Sequence, residues 1–489
     1  MKEGFLIGGG LILLGLILEL CIGPVVWETF AWPVNGLMMA FLLAVIVVMF
    51  LLRKKVYVFR FISTYQAAIP ALAYAVVLTI IMGLTRQMSL THGSLMNEGS
   101  LWINYMLNFW PFVLIYVYIA VILGQIILRR TINCQLSTVN LKRDVPFLLN
   151  HFGLFLAMTA ATLGNADMQR LKMITTVGET EWRAMTQEGA IREMPFTIEL
   201  KQFIMETYDD GSPKRFASKV KIQTKSGKNY ETTIDVNKPV AVDGWKIYQY
   251  DYDKQMGAMS QISILELVSD PWLPLVYIGI YMMLGGAVCF ILLSIPWVGG
   301  WRQTRKHPKR AFTIAVVIAA AFFCVHHFMP ILHSDTLVPA LQSPWFKPHI
   351  IAYMLAYTLM ASVAVIALYI LFRMLFKDGN HNFQFSIINF QLDNLVFIGI
   401  SLITIGMLFG ALWAKEAWGH YWSWDPKETW AAITWFAYLV YIHYRQLPKH
   451  KPHLALWLLI ISFVLLQMCW WGINYLPSAQ GASVHTYTM

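Results

Sequence analysis

The sequence predicts an α-helical polytopic membrane protein of about eleven transmembrane helices with one extracytoplasmic β-rich domain. Three observations carry that prediction. Of the 489 residues, 57% are hydrophobic and only 13% are charged, against about 25% charged in ordinary soluble domains. Apolar runs of spanning length recur along the chain. One polar stretch, 166–270, interrupts them with strand-like alternation.

A span needs about 20 apolar residues. Eleven such runs occur, at 4–23, 35–52, 66–85, 102–128, 147–165, 271–295, 311–330, 350–373, 395–413, 429–446 and 454–472. The first, "FLIGGGLILLGLILELCIG", has no small-residue cleavage site and reads as a retained span. The connections alternate in charge: 53–55, 129–143, 301–310, 372–382 and 443–453 are basic and those between them carry few Lys or Arg. The positive-inside rule then places the N-terminus in the cytoplasm. The C-terminus and the loop 414–428 fall outside. The net charge of +10 is thereby a topology signal for contact with membrane lipid, and no nucleic-acid partner is expected.

Within 166–270, "SKVKIQT" (218–224) and "YETTIDV" (230–236) alternate as strands, and "DDGSP", "KSGK" and "VDGW" mark turns. The chain thus divides into a four-span region, 1–146, without a signature of its own; a pair of spans enclosing the β-rich domain, 147–295; and a C-terminal membrane part, 296–489. None of the five cysteines forms a CxxC pair, which argues for inert thiols and against a Cys-based redox or zinc site.

The loop "AKEAWGHYWSWDPKETW" (414–430) concentrates chemistry. Six of the nineteen tryptophans fall between Trp413 and Trp435, more than an interfacial aromatic belt explains. Asp425-Pro426-Lys427-Glu428 has the form of a capping box, so Asp425 starts the helix that follows. Trp418, Trp422 and Trp424, with Trp430 beyond them, offer large apolar faces with a donor at the edge. They suit a shelf for a flat aromatic ligand such as a porphyrin. Lys415, Lys427 and the indole N–H groups would meet its propionates. A porphyrin iron takes axial ligands, commonly His. His349 and His485 lie on the outer side with the tryptophans. His151 and His443 lie towards the inner side, and a histidine inside a span is a functional candidate. His333 and His420 are alternatives outside, and His326 and His327 inside.

"WGHYWSWDPKETW" followed by "TWFAYLVYIHYR" resembles the WWD domain of heme-handling membrane proteins, nearest to CcsA/ResC of the System II cytochrome c synthases. "QSPWFKPHIIAYMLAY" and "GINYLPSAQGASVHTYTM" resemble the segments bearing that family's external heme histidines, mapping to His349 and His485. "HFGLFLAMTAATLG" and "FTIELKQFIMETYDDGSPKRFASKVKI" resemble ResB/CcsB, mapping its transmembrane histidine to His151, with His443 as the other. The tail reads "SVHTYTM" where the family has Leu-His-Ser-Tyr-Gly. The whole resembles a fused, compact CcsBA-type synthase over 147–489.

The resemblance implies a holocytochrome c synthase of the cytochrome c heme-lyase type. Heme b would bind between His151 and His443, cross the membrane, and pass to His349 and His485 against the WWD loop (Trp418, Trp422, Trp424, Asp425, Trp430). There the CxxCH motif of apocytochrome c would receive it through thioether bonds, with a thiol-reducing partner keeping the cysteines reduced. Three other functions compete. A heme exporter or chaperone would not ligate heme covalently, and a ResB-like domain argues against it. A heme-b subunit of a quinone-linked redox complex would not need external histidines beside a Trp loop. A non-heme transporter would use the tryptophans only as a belt.

Overall fold

The computed structural model describes residues 1–88, 101–132, 141–187, 189–294, 336–376 and 382–479. Among them, nine helical segments are long and apolar enough to cross a membrane. The N-terminal region comprises α1 (Lys2–Ile22), α2 (Val34–Leu52), the short α3 (Tyr57–Ile62), α4 (Tyr65–Leu84) and α5 (Trp110–Ile132). Then come α6 (Leu141–Gly164), the strands, and α7 (Leu273–Ser294). The C-terminal part holds α8 (Phe346–Phe376), α9 (Asn382–Trp418), α10 (Pro426–Arg445) and α11 (Pro452–Trp470).

Two of the eleven expected spans are not among these nine. The run 429–446 is realised as α10, a 20-residue helix whose polar and aromatic positions leave it outside the nine. The run 311–330 lies outside the described residues. Elsewhere the boundaries shift. The run beginning at 102 opens with a 3₁₀ segment, Trp102–Asn108, that kinks at Tyr105. The α-helix proper begins at Trp110, where Pro111 fits because an early helical N–H has no intrahelical partner. The run 395–413 continues as helix to Trp418, which carries Lys415 and Glu416 into the packed fold.

The polar stretch folds as one antiparallel sheet of eight strands: β1 (Gln169–Thr176), β2 (Thr180–Met185), β3 (Ile191–Thr207), β4 (Pro213–Thr224), β5 (Asn229–Asp235), β6 (Val240–Val242), β7 (Trp245–Tyr252) and β8 (Ile262–Ser269). Their order is β5-β4-β3-β2-β1-β8-β7-β6. A bridge between Asp235 and Lys238 brings the chain from one sheet edge to the other, giving a barrel-like shape. The predicted strand 218–224 is the second half of β4, and 230–236 is β5. The turn signal "VDGW" is a hairpin in which Asp243 and Gly244 both take positive φ, as a two-residue Asp-Gly turn requires. Alternate residues point into a core that includes Met173, Phe196, Ile198, Leu200, Val220 and Leu265.

β1 follows α6 closely, and β8 leads into α7, so the sheet hangs from two adjacent helices. Those helices meet along a seam of small residues. A Cβ on Gly279 would lie 2.7 Å from the Ala157 amide nitrogen and from the Gly153 carbonyl oxygen. Glycine is therefore needed for the backbones to approach, as is common where helices pack in lipid. In the C-terminal part α8 packs on α9 and α10 on α11, and α10 also packs on α4, which joins the N-terminal region to it.

The sheet is also fastened to the C-terminal part. Tyr208 Oη donates to the Leu337 carbonyl at 3.0 Å. Asn237 Nδ2 donates to the Pro339 carbonyl at 2.8 Å. Gln342 Nε2 donates to the Lys214 carbonyl at 2.8 Å. The sheet and the segment around Leu337–Gln342 thus form one packed face.

Candidate heme-handling site

The packing of α10 against α4, together with the position of α6, brings His151 and His443 together. Their ring centroids are 6.5 Å apart with the planes at 69°. His151 stacks on Phe147 at 3.9 Å, and His443 meets Tyr65 edge-on at 6.1 Å. Each Nδ1 lies 2.8 Å from the carbonyl oxygen four residues earlier, of Phe147 and Leu439 respectively. A carbonyl only accepts, so Nδ1 carries the hydrogen and Nε2 the lone pair. That hydrogen bond fixes tautomer and ring orientation, as it does in metal-binding histidines.

The spacing suits one ion between two imidazoles. Metal–imidazole bonds run about 2.0–2.1 Å, so opposed rings stand a little over about 6 Å apart by centroid. His450, by contrast, has its Nε2 engaged by the Arg445 guanidinium.

His349 occupies the first turn of α8. Its Nδ1 lies 2.8 Å from the Gly406 carbonyl of α9, which again assigns the lone pair to Nε2. Gly410 makes the seat: a Cβ there would lie 2.8 Å from His349 Cε1. An aromatic run leads from this ring to the loop. His349 is 5.8 Å from Trp413, Trp413 is 5.1 Å from Trp418, and Trp418 lies near-parallel to His420 at 6.4 Å. His485, His333, His326 and His327 lie outside the described residues.

The loop does not present its tryptophans on one plane. Trp422 and Trp424 stand edge-to-face, 5.7 Å apart at 86°. Trp424 has φ +58°, which turns its side chain onto Phe112 and Tyr116 of α5. Trp418 instead packs with Leu337, Leu341, Phe346 and Trp413. Trp430 is buried at the start of α10, close to Gly83 of α4. The indole N–H groups of Trp422 and Trp430 are buried with no acceptor among the described residues. Buried donors are normally satisfied, so these two are suited to a bound acceptor.

The capping reading of Asp425 holds. The Glu428 amide donates to Asp425 Oδ1 at 2.8 Å. Glu428 Oε2 accepts from the Asp425 amide at 3.3 Å and from the Ser423 amide at 2.7 Å. Lys427 is half-buried on the first turn of α10. Lys415, expected at a propionate, sits elsewhere. Its Nζ is 3.0 Å from Asp270 Oδ2, with the side chains 2% and 5% exposed. Asp270 directly follows β8 and Lys415 lies in the last turn of α9, so this ion pair ties the sheet to the helix that leads into the Trp loop. Gly419 completes the join: at φ +76°, a Cβ there would lie 2.8 Å from Val268 and 3.2 Å from Tyr248.

Sequence reasoning missed Asp270, Tyr65, Phe147, Trp413 and Glu416. Glu416 accepts from the Trp345 indole at 2.9 Å, and as a carboxylate at the end of an apolar run it carried a signal. Asp270 and Tyr65 show no local signal because their partners Lys415 and His443 are distant in sequence, whereas Phe147 and Trp413 stand near His151 and Trp418 but read as ordinary aromatic residues of a span.

Residues 277–479 match the cytochrome C assembly protein family and 142–264 the ResB-like family. Cytochrome c biogenesis protein CcsA of Hordeum vulgare is 32% identical over 242 residues, covering 40% of this chain and 72% of that protein. CcsA of Zea mays is 32% identical over 239 residues, with the same coverage. CcsA of Guillardia theta is 35% identical over 173 residues, covering 31% of this chain and 56% of that protein.

Proposed function

Because the chain belongs to the cytochrome c assembly (CcsA) family, we propose that it carries heme b across the membrane and attaches it to apocytochrome c. Its ResB-like part lies in the same polypeptide, the fused CcsBA-type arrangement of System II. Its work is in cytochrome c biogenesis, in a multi-pass membrane setting. The observation that carries the proposal is the His151–His443 pair, 6.5 Å apart by ring centroid with both Nδ1 positions anchored.

In this reading, heme enters from the cytoplasmic side of a bacterial inner membrane and is held by His151 and His443. It passes to an outer site at His349, whose ring orientation Gly406 and Gly410 maintain, with His485 as second ligand. Trp418 and Trp422 supply apolar surface there, and the indole N–H groups of Trp422 and Trp430 supply donors for carboxylate or water. The β-rich domain, fastened through Lys415–Asp270, frames the approach of the CxxCH segment.

Each thioether forms by addition. The cysteine sulfur bonds to the α-carbon of a vinyl group, the vinyl π bond breaks, and a proton goes to the β-carbon. No net oxidation occurs, but the thiols must be reduced, which calls for a thiol-reducing partner. The protein's contribution is positioning, which can lower such barriers by several kcal/mol (about 7–11 at best). Co-expression with an apocytochrome c in a host lacking its own maturation system tests the proposal. Covalent heme on the cytochrome is the expected result; heme bound to this chain with no covalent product would leave it a carrier only.

A further inference from the structure

The unassigned N-terminal region holds a cavity of about 550 Å³. Its walls come from the end of α2, from α3, from the start of α4 and from the end of α5. They include Arg53, Lys54, Tyr57, Arg60, Thr64 and Arg129. Among the described residues, none of the four cations has a carboxylate within ion-pair distance. Glu3 reaches the rim only by accepting from Tyr57 Oη at 2.8 Å. Two guanidiniums are held in place: Arg53 donates to the Phe50 carbonyl at 2.8 Å and lies over the Phe50 ring, and Arg129 donates to the Ser63 carbonyl at 3.0 Å.

Two of the wall residues lead directly to the histidine pair. Thr64 precedes Tyr65, whose ring touches His443. Arg129 precedes Arg130, whose guanidinium lies over Phe147, the ring on which His151 stacks. The cavity and the pair are therefore neighbours at the same end of the bundle. A porphyrin with its iron between the histidines has both carboxylates on one edge, several bond lengths from the metal. Arginine is suited to meet carboxylates with paired hydrogen bonds.

We propose that this cavity binds the two carboxylates of the porphyrin, so that the N-terminal region selects the substrate by its acidic edge. The proposal rests on the reading of His151 and His443 as a heme site. The shared chemistry is anion recognition, and the rival source is an anionic lipid headgroup. A lipid phosphate, however, would need no continuity with the histidines.

The test uses the purified full chain and two iron-free probes, protoporphyrin IX and its dimethyl ester, titrated by porphyrin fluorescence. Wild type should bind the diacid roughly tenfold or more tighter than the diester, the size of a charge-assisted hydrogen bond. Arg60→Gln with Arg129→Gln should bring the two affinities together. Arg60→Lys with Arg129→Lys should keep much of the preference, which separates loss of charge from misfolding. Equal affinities in wild type, or an unchanged preference in the Gln variant, overturn the proposal. The titration is repeated in nanodiscs of phosphatidylcholine with and without phosphatidylglycerol. A diacid preference abolished by phosphatidylglycerol assigns the cavity to lipid and overturns the proposal as well. The histidine reading is judged separately, by whether His151→Ala and His443→Ala change the Soret band of bound ferric heme.

Discussion

His151 and His443 stand 6.5 Å apart by ring centroid although 292 positions separate them in the chain. One lies on the ResB-like part and the other on the cytochrome c assembly part. The pair thus exists only where the two parts pack. Both rings are oriented from within their own helices, each by a carbonyl one turn earlier. Such anchoring lets each helix deliver a set imidazole, so that packing alone assembles the pair.

On the proposed reading, replacing either ring removes one axial ligand and leaves the protein folded, since each side chain contacts mainly aromatic neighbours. His151→Ala and His443→Ala are each expected to lower heme copurifying with the chain. Imidazole added during growth should restore part of it, because a small ligand can occupy the vacated position. Pyridine hemochrome quantification checks this. Unchanged heme in both variants would remove the pair from the pathway. The same comparison at His349→Ala tests the ligand role proposed for His349.

Asp425 sits in the Trp-rich motif and makes the paired hydrogen bonds of a helix cap with Glu428. Asp425→Ala should cost about 1 kcal/mol of stability, read as a lowered thermal midpoint in detergent. Asp425→Ser or Asp425→Asn should recover most of it. Heme content should follow stability across the three variants. Heme loss in Asp425→Asn at full stability would give the carboxylate a direct role.

The residues differ in how far the sequence revealed them. Helices α1, α2 and α11 were legible because lipid demands long apolar runs, and β4 and β5 because alternation and turn residues agree. Asp425 was legible because a cap is a local pattern. His443 and His151 drew attention as polar groups inside spans, but their pairing depends on α10 packing near α6, which no local pattern encodes. Lys415 was misplaced for the same reason: a lysine beside a Trp-rich loop suggests a propionate, whereas its partner Asp270 lies 145 residues away. The plane of the tryptophans was not legible either, because the positive φ of Trp424 has no signal in residue type.

The β-rich domain offers a pH test. The Arg183 guanidinium beside Glu181, aided by the amides of Arg183 and Trp182, holds the Glu181 carboxyl down at about 2, below its ordinary 4.5. A depressed folded-state value stabilises the fold fully above the unfolded value, and the contribution is lost as pH falls from about 4.5 towards 2. Both side chains are partly exposed, so screening keeps the effect small. Glu181→Gln should leave a shallower fall in the thermal midpoint between pH 5 and pH 3. Identical slopes would show that the contact is not maintained in solution.

The Lys415–Asp270 pair is a different case, because both side chains are buried. Removing one partner strands the other charge, a loss of about 3–5 kcal/mol for buried pairs. Lys415→Met and Asp270→Asn should therefore each reduce the yield of folded protein sharply. Lys415→Met combined with Asp270→Leu removes both charges and should recover much of that yield. The pair also joins β8 to the end of α9, where the Trp loop begins. If the fold is recovered but covalent heme attachment is not, the ion pair serves to position the loop against the sheet. If attachment returns with the fold, any packed contact there suffices. Yield by size-exclusion chromatography and covalent heme on a co-expressed cytochrome c, measured on the same four proteins, separate the two outcomes.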